Sequence, residues 1–232
     1  MSQTERPEFI HLHVHSEFSL KDGLLKMKPL LSQIAAQHMP AVGLTDAGNL
    51  FALVKFYESA CSRGIKPVLG AEVQVQTGDS PAERLVLLAM NNHGYKNLIH
   101  LVSTGFTEAP LRGVLQEDEI FAHSDGLIVL SGGMHGHLWQ LAQGADQAAL
   151  QERIQRWQNC FGDRYYLELT RTARPGEERV NMALLAAASA LQVGVVATND
   201  VCFAHQDDFE AHETRVCIHE GRSLDDPRRE RR

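Results

Sequence analysis

Strand-like and helix-like segments alternate along the whole chain, and this alternation limits the folds that the chain can adopt. Residues 41–45 and 126–130 are short apolar runs, which are typical of strands buried on both faces. Longer segments, such as residues 27–37 and 146–161, carry apolar side chains at helical spacing. Repeated βα units imply parallel strands with right-handed crossovers, so we expect an α/β protein that closes as a barrel rather than an open sheet.

The pattern predicts seven strands and six helices. The predicted strands are residues 9–14, 41–45, 66–75, 85–90, 126–130, 165–169 and 195–198. The predicted helices are residues 27–37, 50–63, 95–104, 146–161, 177–192 and 207–219. The polar segment 76–83 is predicted to be a surface excursion. A length of 232 residues suits one such barrel, so we expect a single domain over residues 1–232.

Composition excludes several classes of protein. The formal net charge is −7, from 22 basic and 29 acidic residues, whereas a domain that grips duplex DNA is usually basic. We therefore expect little direct nucleic-acid binding. The N-terminus has no apolar signal core, and the longest apolar stretch, residues 183–198, is too short and mixed to span a bilayer. No two cysteines have the spacing of a zinc ribbon, and we expect a cytoplasmic protein without a membrane segment.

Polar residues that suit metal binding stand where predicted strands end. His13 and His15 are two residues apart on the first strand, so both imidazoles share one face. The other members of the set are Asp22, Glu72 and Asp200. In a βα barrel such strand ends meet at one mouth, and a set of imidazoles and carboxylates suits zinc, manganese or iron. Such a cluster can activate water and bind a phosphoryl group.

For each of these residues considered alone, the alternative to metal binding is a structural role. Asp46 and Asp200 also fit the position of a helix N-cap. His11 precedes the histidine pair on the same face of the first strand, where we expect its side chain to pack in the core. His135 and His137 follow a flexible Gly-Gly pair and are weaker candidates for side chains that enter the mouth of the barrel. The chain has no phosphate-binding loop, no dinucleotide fingerprint and no nucleophile elbow, so kinases, Rossmann dehydrogenases and α/β-hydrolases lose support.

Several motifs together resemble one family. Residues 9–23, which contain the three alternating histidines, resemble the first motif of the polymerase and histidinol phosphatase (PHP) domains. Residues 44–50 and 64–72 resemble the second and third motifs, and residues 94–98, 130–133 and 196–200 resemble later ones. Among PHP domains, the residues and spacing of these motifs are most similar to the domain at the N-terminus of bacterial DNA polymerase III alpha subunits.

This resemblance implies a distorted TIM-like (β/α)7 barrel that is the N-terminal fragment of a longer replicative polymerase. The charged run 227–232 also favours a fragment, with a disordered basic tail as the alternative. The parent chain would be a DNA-directed DNA polymerase whose active site, with its magnesium, lies outside this sequence.

The resemblance also assigns ligand positions. His13, His15, Glu72 and Asp200 match one metal site of active family members, and Asp22 matches a further ligand position. Four other ligand positions depart from the pattern and carry Ala47, Arg84, Gly133 and Cys202. Alanine and glycine offer no side-chain donor, arginine brings a positive charge, and only the cysteine could still bind a soft metal. The resemblance therefore predicts no catalytic residue and at most one divalent ion, of zinc, manganese or iron.

Two functions stay open from the sequence. The first is a degenerate, non-catalytic structural module that docks the proofreading exonuclease subunit, epsilon, within the replicative polymerase. The second is a metal-dependent phosphoesterase, either a 3′–5′ exonuclease or a pyrophosphatase, that uses the residual metal site. An unrelated amidohydrolase-like enzyme would need a bridging lysine and further strand-end histidines, and the sequence offers no such set.

Overall fold

The computed structural model describes residues 9–78, 80–136, 138–144 and 146–226. The chain forms two compact units, one of Met1–Leu69 with Val201–Arg232 and one of Gly70–Asp200. The single domain over residues 1–232 stays a prediction. His137 and the charged run 227–232 lie outside the described residues.

Helices and strands alternate as the sequence predicts. The α-helices are α1 (Met27–Ala36), α2 (Leu53–Cys61), α3 (Asn92–Thr107), α4 (Glu117–Ala122), α5 (Trp139–Gln143), α6 (Gln147–Phe161), α7 (Glu177–Leu191) and α8 (Phe209–Glu220). The strands are β1 (Ala41–Leu44), β2 (Lys66–Gln76), β3 (Glu83–Ala89), β4 (Val114–Gln116), β5 (Leu127–Leu130), β6 (Tyr165–Thr170) and β7 (Gly194–Thr198). Short 3-10 turns cover Glu17–Ser19, Gly133–His135, Gly162–Arg164 and Gln206–Asp208.

The first unit is built on a parallel strand pair and the helices that connect to it. β1 pairs with the first residues of β2, from Ala41 opposite Lys66 to Leu44 opposite Leu69. The buried face of α1 consists of Met27, Leu30, Leu31 and Ile34. Their spacing of three and four residues places them on one side of the helix, which explains why this segment is amphipathic and helical.

The predicted first strand, residues 9–14, is not a regular strand, which corrects the sequence-based expectation. The segment is extended and bonds to β1 on one side, where Gly43 N donates to His11 O (2.7 Å) and Thr45 N donates to Val14 O (2.9 Å). On the other side, only an isolated bridge joins Val14 to Val201. A bend at His13 interrupts the ladder, so the hydrogen bonds of a strand are present without its regular repeat.

The second unit contains a mixed sheet. Its strands follow the order β2-β3-β5-β6-β7, and β4 pairs with β2 in parallel. β3 is antiparallel to both of its neighbours, so the expectation of parallel strands throughout is wrong at this strand. The reason is the short connection between Gln76 and Glu83, which is too short for a helical crossover and forms a hairpin instead. The predicted surface excursion is this hairpin loop.

Local capping and packing explain the longest helices of the second unit. The side chain of Asp146 accepts a hydrogen bond from Ala149 N (3.0 Å) and thereby caps α6. Leu150, Ile154, Trp157 and Phe161 form the buried face of that helix. β4, α4 and α5 were not predicted, because elements of three to six residues are too short to display a period. None of the described helices is both long and apolar enough to cross a membrane.

Candidate metal centre

Two predicted ligands, His15 and Asp22, meet in the first unit. The Nδ1 atom of His15 lies 2.9 Å from the Oδ1 atom of Asp22, and both side chains are buried. The Sγ atom of Cys202 lies 3.9 Å from the same imidazole nitrogen. One ligand atom from each of these three residues lies within 4.8 Å of the other two. An imidazole, a carboxylate and a thiol therefore form one buried group of possible metal ligands.

Backbone contacts position the three residues. His15 N donates to Val201 O (2.8 Å), and Leu24 N donates to Cys202 O (2.7 Å). The backbone of Val201 and Cys202 is therefore bonded to residues on both sides of the loop that carries Asp22. Gly23 is required next to this carboxylate, because a Cβ atom there would lie 1.8 Å from the carbonyl oxygen of Ser16. The loop is therefore held against the first motif by close backbone packing.

His13 lies beside this group, as the spacing of the two histidines predicts. The ring centroids of His13 and His15 are 5.3 Å apart with an interplanar angle of 61°, and His13 is buried. His11, predicted to be a packing residue, contacts Phe9 edge-on with centroids 5.0 Å apart. Burial lowers the pKa of His11, which favours its neutral form. His135 lies in the 3-10 turn Gly133–His135 and is not among the grouped ligands of the described residues.

The other two predicted ligands, Glu72 and Asp200, belong to the second unit. Their role at the metal centre stays a prediction. Asp200 has a positive φ of 46°, a left-handed conformation that aspartate tolerates better than most residues. It directly precedes Val201, whose backbone bonds to the first motif within the first unit.

The carboxylate of Glu72 is paired with Arg84, at a position where the resemblance predicts a departure from the ligand pattern. The Nη1 atom of Arg84 lies 3.4 Å from the Oε2 atom of Glu72. The register of the β2–β3 hairpin brings them together, because Glu72 lies opposite Val86 and is therefore the diagonal neighbour of Arg84. The side chains are 3% and 13% exposed, so the ion pair is largely shielded from water. A guanidinium thus supplies positive charge beside this carboxylate.

A buried glutamate outside the predicted ligand set, Glu168, makes hydrogen bonds with strand-end residues of the second unit. Its carboxylate accepts a hydrogen bond from Gly132 N (3.0 Å) and another from the hydroxyl of Thr198. A Cβ atom at Gly133 would lie 3.8 Å from the Oε1 atom of Glu168. An acidic residue inside the apolar run of β6 was the signal that could have identified it.

The second motif has a structural role in this chain. The carboxylate of Asp46 accepts hydrogen bonds from Ser16 N (2.6 Å), Ser16 Oγ (2.7 Å) and Ser19 Oγ (2.8 Å). Asp46 is therefore not a helix cap, since α2 has Ala52 at its N-cap. Ala47 donates its backbone N–H to Ser19 Oγ (3.1 Å) and has no side-chain donor for a metal.

The donor chemistry of the first unit fits one divalent ion. His15, Asp22 and Cys202 offer nitrogen, oxygen and sulfur, a mixture that zinc accepts readily. The positions of Ala47 and Gly133 add no donor for a second or third ion. The first unit thus contains one group of possible ligands next to a structural hydrogen-bond network.

Comparison with known families and proteins identifies the family of this chain. The model of the PHP domain family matches residues 11–172. DNA polymerase III subunit alpha of Pseudomonas aeruginosa is 45% identical over 227 residues, which cover 96% of this chain and 19% of that protein. The corresponding subunits of Vibrio cholerae and Escherichia coli K12 are 45% and 44% identical. The chain spans about a fifth of the length of these relatives.

Solved structures share the fold at low sequence identity. An amidohydrolase from Chromobacterium violaceum matches with a TM-score of 0.55 at 13% identity and covers 89% of this chain and 96% of its own. A candidate metal-dependent phosphoesterase from Bifidobacterium adolescentis matches with a TM-score of 0.56 at 13% identity and covers 92% and 98%. These matches confirm the predicted fold class. The chain belongs to the PHP domain family.

Proposed function

We propose that this chain is the N-terminal PHP module of a DNA polymerase III alpha subunit and that it acts there as a non-hydrolytic structural and docking domain. The observation that carries the proposal is the ion pair between Arg84 and Glu72. A protein cation lies beside a carboxylate that matches a metal-ligand position of the family.

The number of ions that the site can hold distinguishes a hydrolytic role from a structural one. A hydrolytic centre with two or three metals needs each ion held firmly enough to position the water and the phosphate. Ala47 and Gly133 provide no side-chain donor, and the guanidinium of Arg84 repels a cation at Glu72. A multi-metal phosphoesterase centre is therefore disfavoured, and the PHP scaffold is retained for a structural purpose.

The docking part of the proposal names the proofreading exonuclease subunit, epsilon, as the partner. A polymerase whose own PHP site does not hydrolyse DNA needs proofreading from a separate protein. The net charge of −7 also suits a protein partner better than a nucleic-acid surface. In this proposal the polymerase site and its magnesium reside in the rest of the parent chain, and the complex works in the cytoplasm.

The test uses the full alpha subunit that contains this sequence. We expect it to form a complex with epsilon in size-exclusion chromatography and calorimetry, and we expect a version without residues 1–226 to lose that complex while the remaining chain stays folded. Equal binding by both versions contradicts the docking role. The same preparations are assayed for release of nucleotides from single-stranded DNA, where epsilon-free protein is expected to be inactive.

A second candidate function rests on the grouping of His15, Asp22 and Cys202. One ion held there would supply a Lewis acid for phosphoester or pyrophosphate hydrolysis, and these three side chains would bind and orient it. The assay adds manganese or zinc to the 232-residue chain with single-stranded DNA, pyrophosphate and a chromogenic phosphate ester. Metal-dependent activity that His15→Ala abolishes and His219→Ala, at an exposed position, preserves supports this function; inactivity on all three substrates rejects it.

A further inference from the structure

Two histidines of the second unit, which are not part of the candidate metal centre, bring their imidazole rings together. His100 lies on α3 and His123 follows the last residue of α4. Their ring centroids are 4.2 Å apart and the ring planes are tilted by 41°. His100 is exposed and His123 is half-buried, so the pair can be reached from solvent.

A backbone contact orients the ring of His123. Its Nδ1 atom lies 3.0 Å from the carbonyl oxygen of Glu119. A carbonyl oxygen only accepts hydrogen bonds, so Nδ1 carries the proton and Nε2 of the neutral ring has the free lone pair. Metal-binding histidines in proteins commonly have this arrangement, in which the non-ligating nitrogen donates to a backbone carbonyl.

Close packing fixes the two segments that carry the rings. The Nδ2 atom of Asn97 on α3 donates to Asp125 O (2.8 Å), two residues after His123. One turn earlier on α3, Gly94 packs so tightly that a Cβ atom there would lie 1.8 Å from the carbonyl oxygen of Gly126. The two histidines are therefore presented from a rigid backbone, and ordering them around a ligand costs little entropy.

The charges near the pair do not decide what it binds. Glu119 and Asp125 are acidic neighbours in sequence of His123, whereas Lys96 precedes His100 by one turn and Arg164 donates to Ser124 O (2.5 Å). Positive and negative groups are thus balanced. The chemistry of the site comes from its two imidazoles, and imidazole favours zinc, copper and nickel over calcium or magnesium.

We propose that His100 and His123 together bind one divalent transition-metal ion of this imidazole-preferring class. Nε2 of His123 and one ring nitrogen of His100 are the protein ligands, and water completes the coordination. A small rotation of the exposed His100 ring opens the stacked pair to admit the ion, since the ring torsion of histidine is soft. The bound ion joins α3 to the connection between α4 and β5. This inference does not depend on the proposed function.

The experiment uses zinc and the 232-residue chain with hydrogen exchange as a local readout. Added zinc is expected to slow amide exchange in residues 119–126 of the unchanged chain. In both His100→Ala and His123→Ala this protection is expected to require at least about tenfold more zinc, because loss of even an outer-shell partner of a metal site costs that much affinity. His219→Ala, which removes an exposed histidine of α8 that belongs to neither site, is the matched control and is expected to behave like the unchanged chain.

Two results would overturn the proposal. One is protection of residues 119–126 that is the same in the unchanged chain and in both alanine variants. The other is the absence of any zinc-dependent protection, which would leave ring stacking as the whole role of the pair. Circular dichroism of the variants checks that they are folded, and His100→Gln provides a polar variant should the alanine variant fail that check.

Discussion

The guanidinium of Arg84 and the carboxylate of Glu72 lie 3.4 Å apart across the β2–β3 hairpin. Both side chains are largely buried, so each charge helps to compensate the other away from water. A carboxylate that the sequence predicts to be a metal ligand is thus half of an ion pair. The positive charge beside it comes from the polypeptide itself.

Removal of Arg84 is expected to destabilise the protein. Arg84→Met leaves the buried carboxylate of Glu72 without this cation, and we expect a loss of about 3 kcal/mol in the free energy of unfolding, measured with urea. The double variant with Glu72→Gln is expected to recover most of that loss. Arg171→Met is the control, because Arg171 and Glu178 form an exposed pair 3.6 Å apart, and its effect is expected to stay within about 0.5 kcal/mol.

Zinc binding by the first unit is expected to depend on Cys202. Cys202→Ser replaces a soft thiolate donor with a weak hydroxyl donor, so zinc affinity is expected to fall at least about tenfold while manganese affinity changes less. Titration calorimetry of both metals measures the difference. Cys61→Ser, at an exposed position, serves as the control. An unchanged zinc affinity would remove Cys202 from the ligand set.

The hydrogen bonds to Asp46 are expected to stabilise the fold rather than bind metal. Asp46→Ala leaves the N–H and hydroxyl of Ser16 and the hydroxyl of Ser19 without their acceptor, and we expect a loss of about 2–4 kcal/mol. The midpoint of urea unfolding is expected to fall, whereas zinc stoichiometry is expected to remain the same. A change in stoichiometry without a change in stability would contradict this role.

Glu177 is expected to make stability depend on pH. Burial raises its pKa, but hydrogen bonds from Thr172 and Thr170 outweigh that effect and hold the pKa below the ordinary value of 4.5. A carboxyl group whose pKa is lower in the folded state stabilises the fold above the unfolded pKa, and that contribution disappears as the pH falls through the folded value. The difference in unfolding free energy between the unchanged chain and Glu177→Gln should therefore be largest near pH 7 and shrink below about pH 4.5.

The control for this titration is Glu178→Gln. Glu178 is exposed beside Glu177 and pairs only loosely with Arg171, at 3.6 Å, so its replacement is expected to change stability little at any pH. Urea unfolding at a series of pH values measures both variants. A pH-independent difference for Glu177→Gln would show that its hydrogen bonds act without its charge.

The sequence predicted most of the fold, because long elements display their period. The apolar spacing of α1 and α6 and the short apolar runs of β1 and β5 match the structure within a few residues. The direction of β3 could not be predicted in this way, since a parallel and an antiparallel buried strand have the same apolar pattern. The length of the Gln76 to Glu83 connection was the relevant signal, and it favoured a hairpin.

The candidate site was predicted in part for a similar reason. The spacing of His13 and His15 gives their shared face directly, and Asp22 follows in the next loop. The contribution of Cys202 depends on contacts between segments nearly two hundred residues apart, as the separation of 187 residues from His15 shows. No local pattern encodes such a contact. The partner of Glu72 could not be predicted from the sequence either, because the hairpin register decides which residue lies next to it.

The pair Thr45 and Asp46 has a consequence for how other members of this family are classified. Thr45 Oγ1 accepts a hydrogen bond from Val14 N (2.9 Å), and Asp46 holds the serines of the first motif, so the two residues secure backbone next to the histidine segment. These two side chains can therefore be retained for the stability of this segment alone, whatever the chemistry of the neighbouring site. A survey of relatives should accordingly not take Thr45 and Asp46 by themselves as evidence of a metal site.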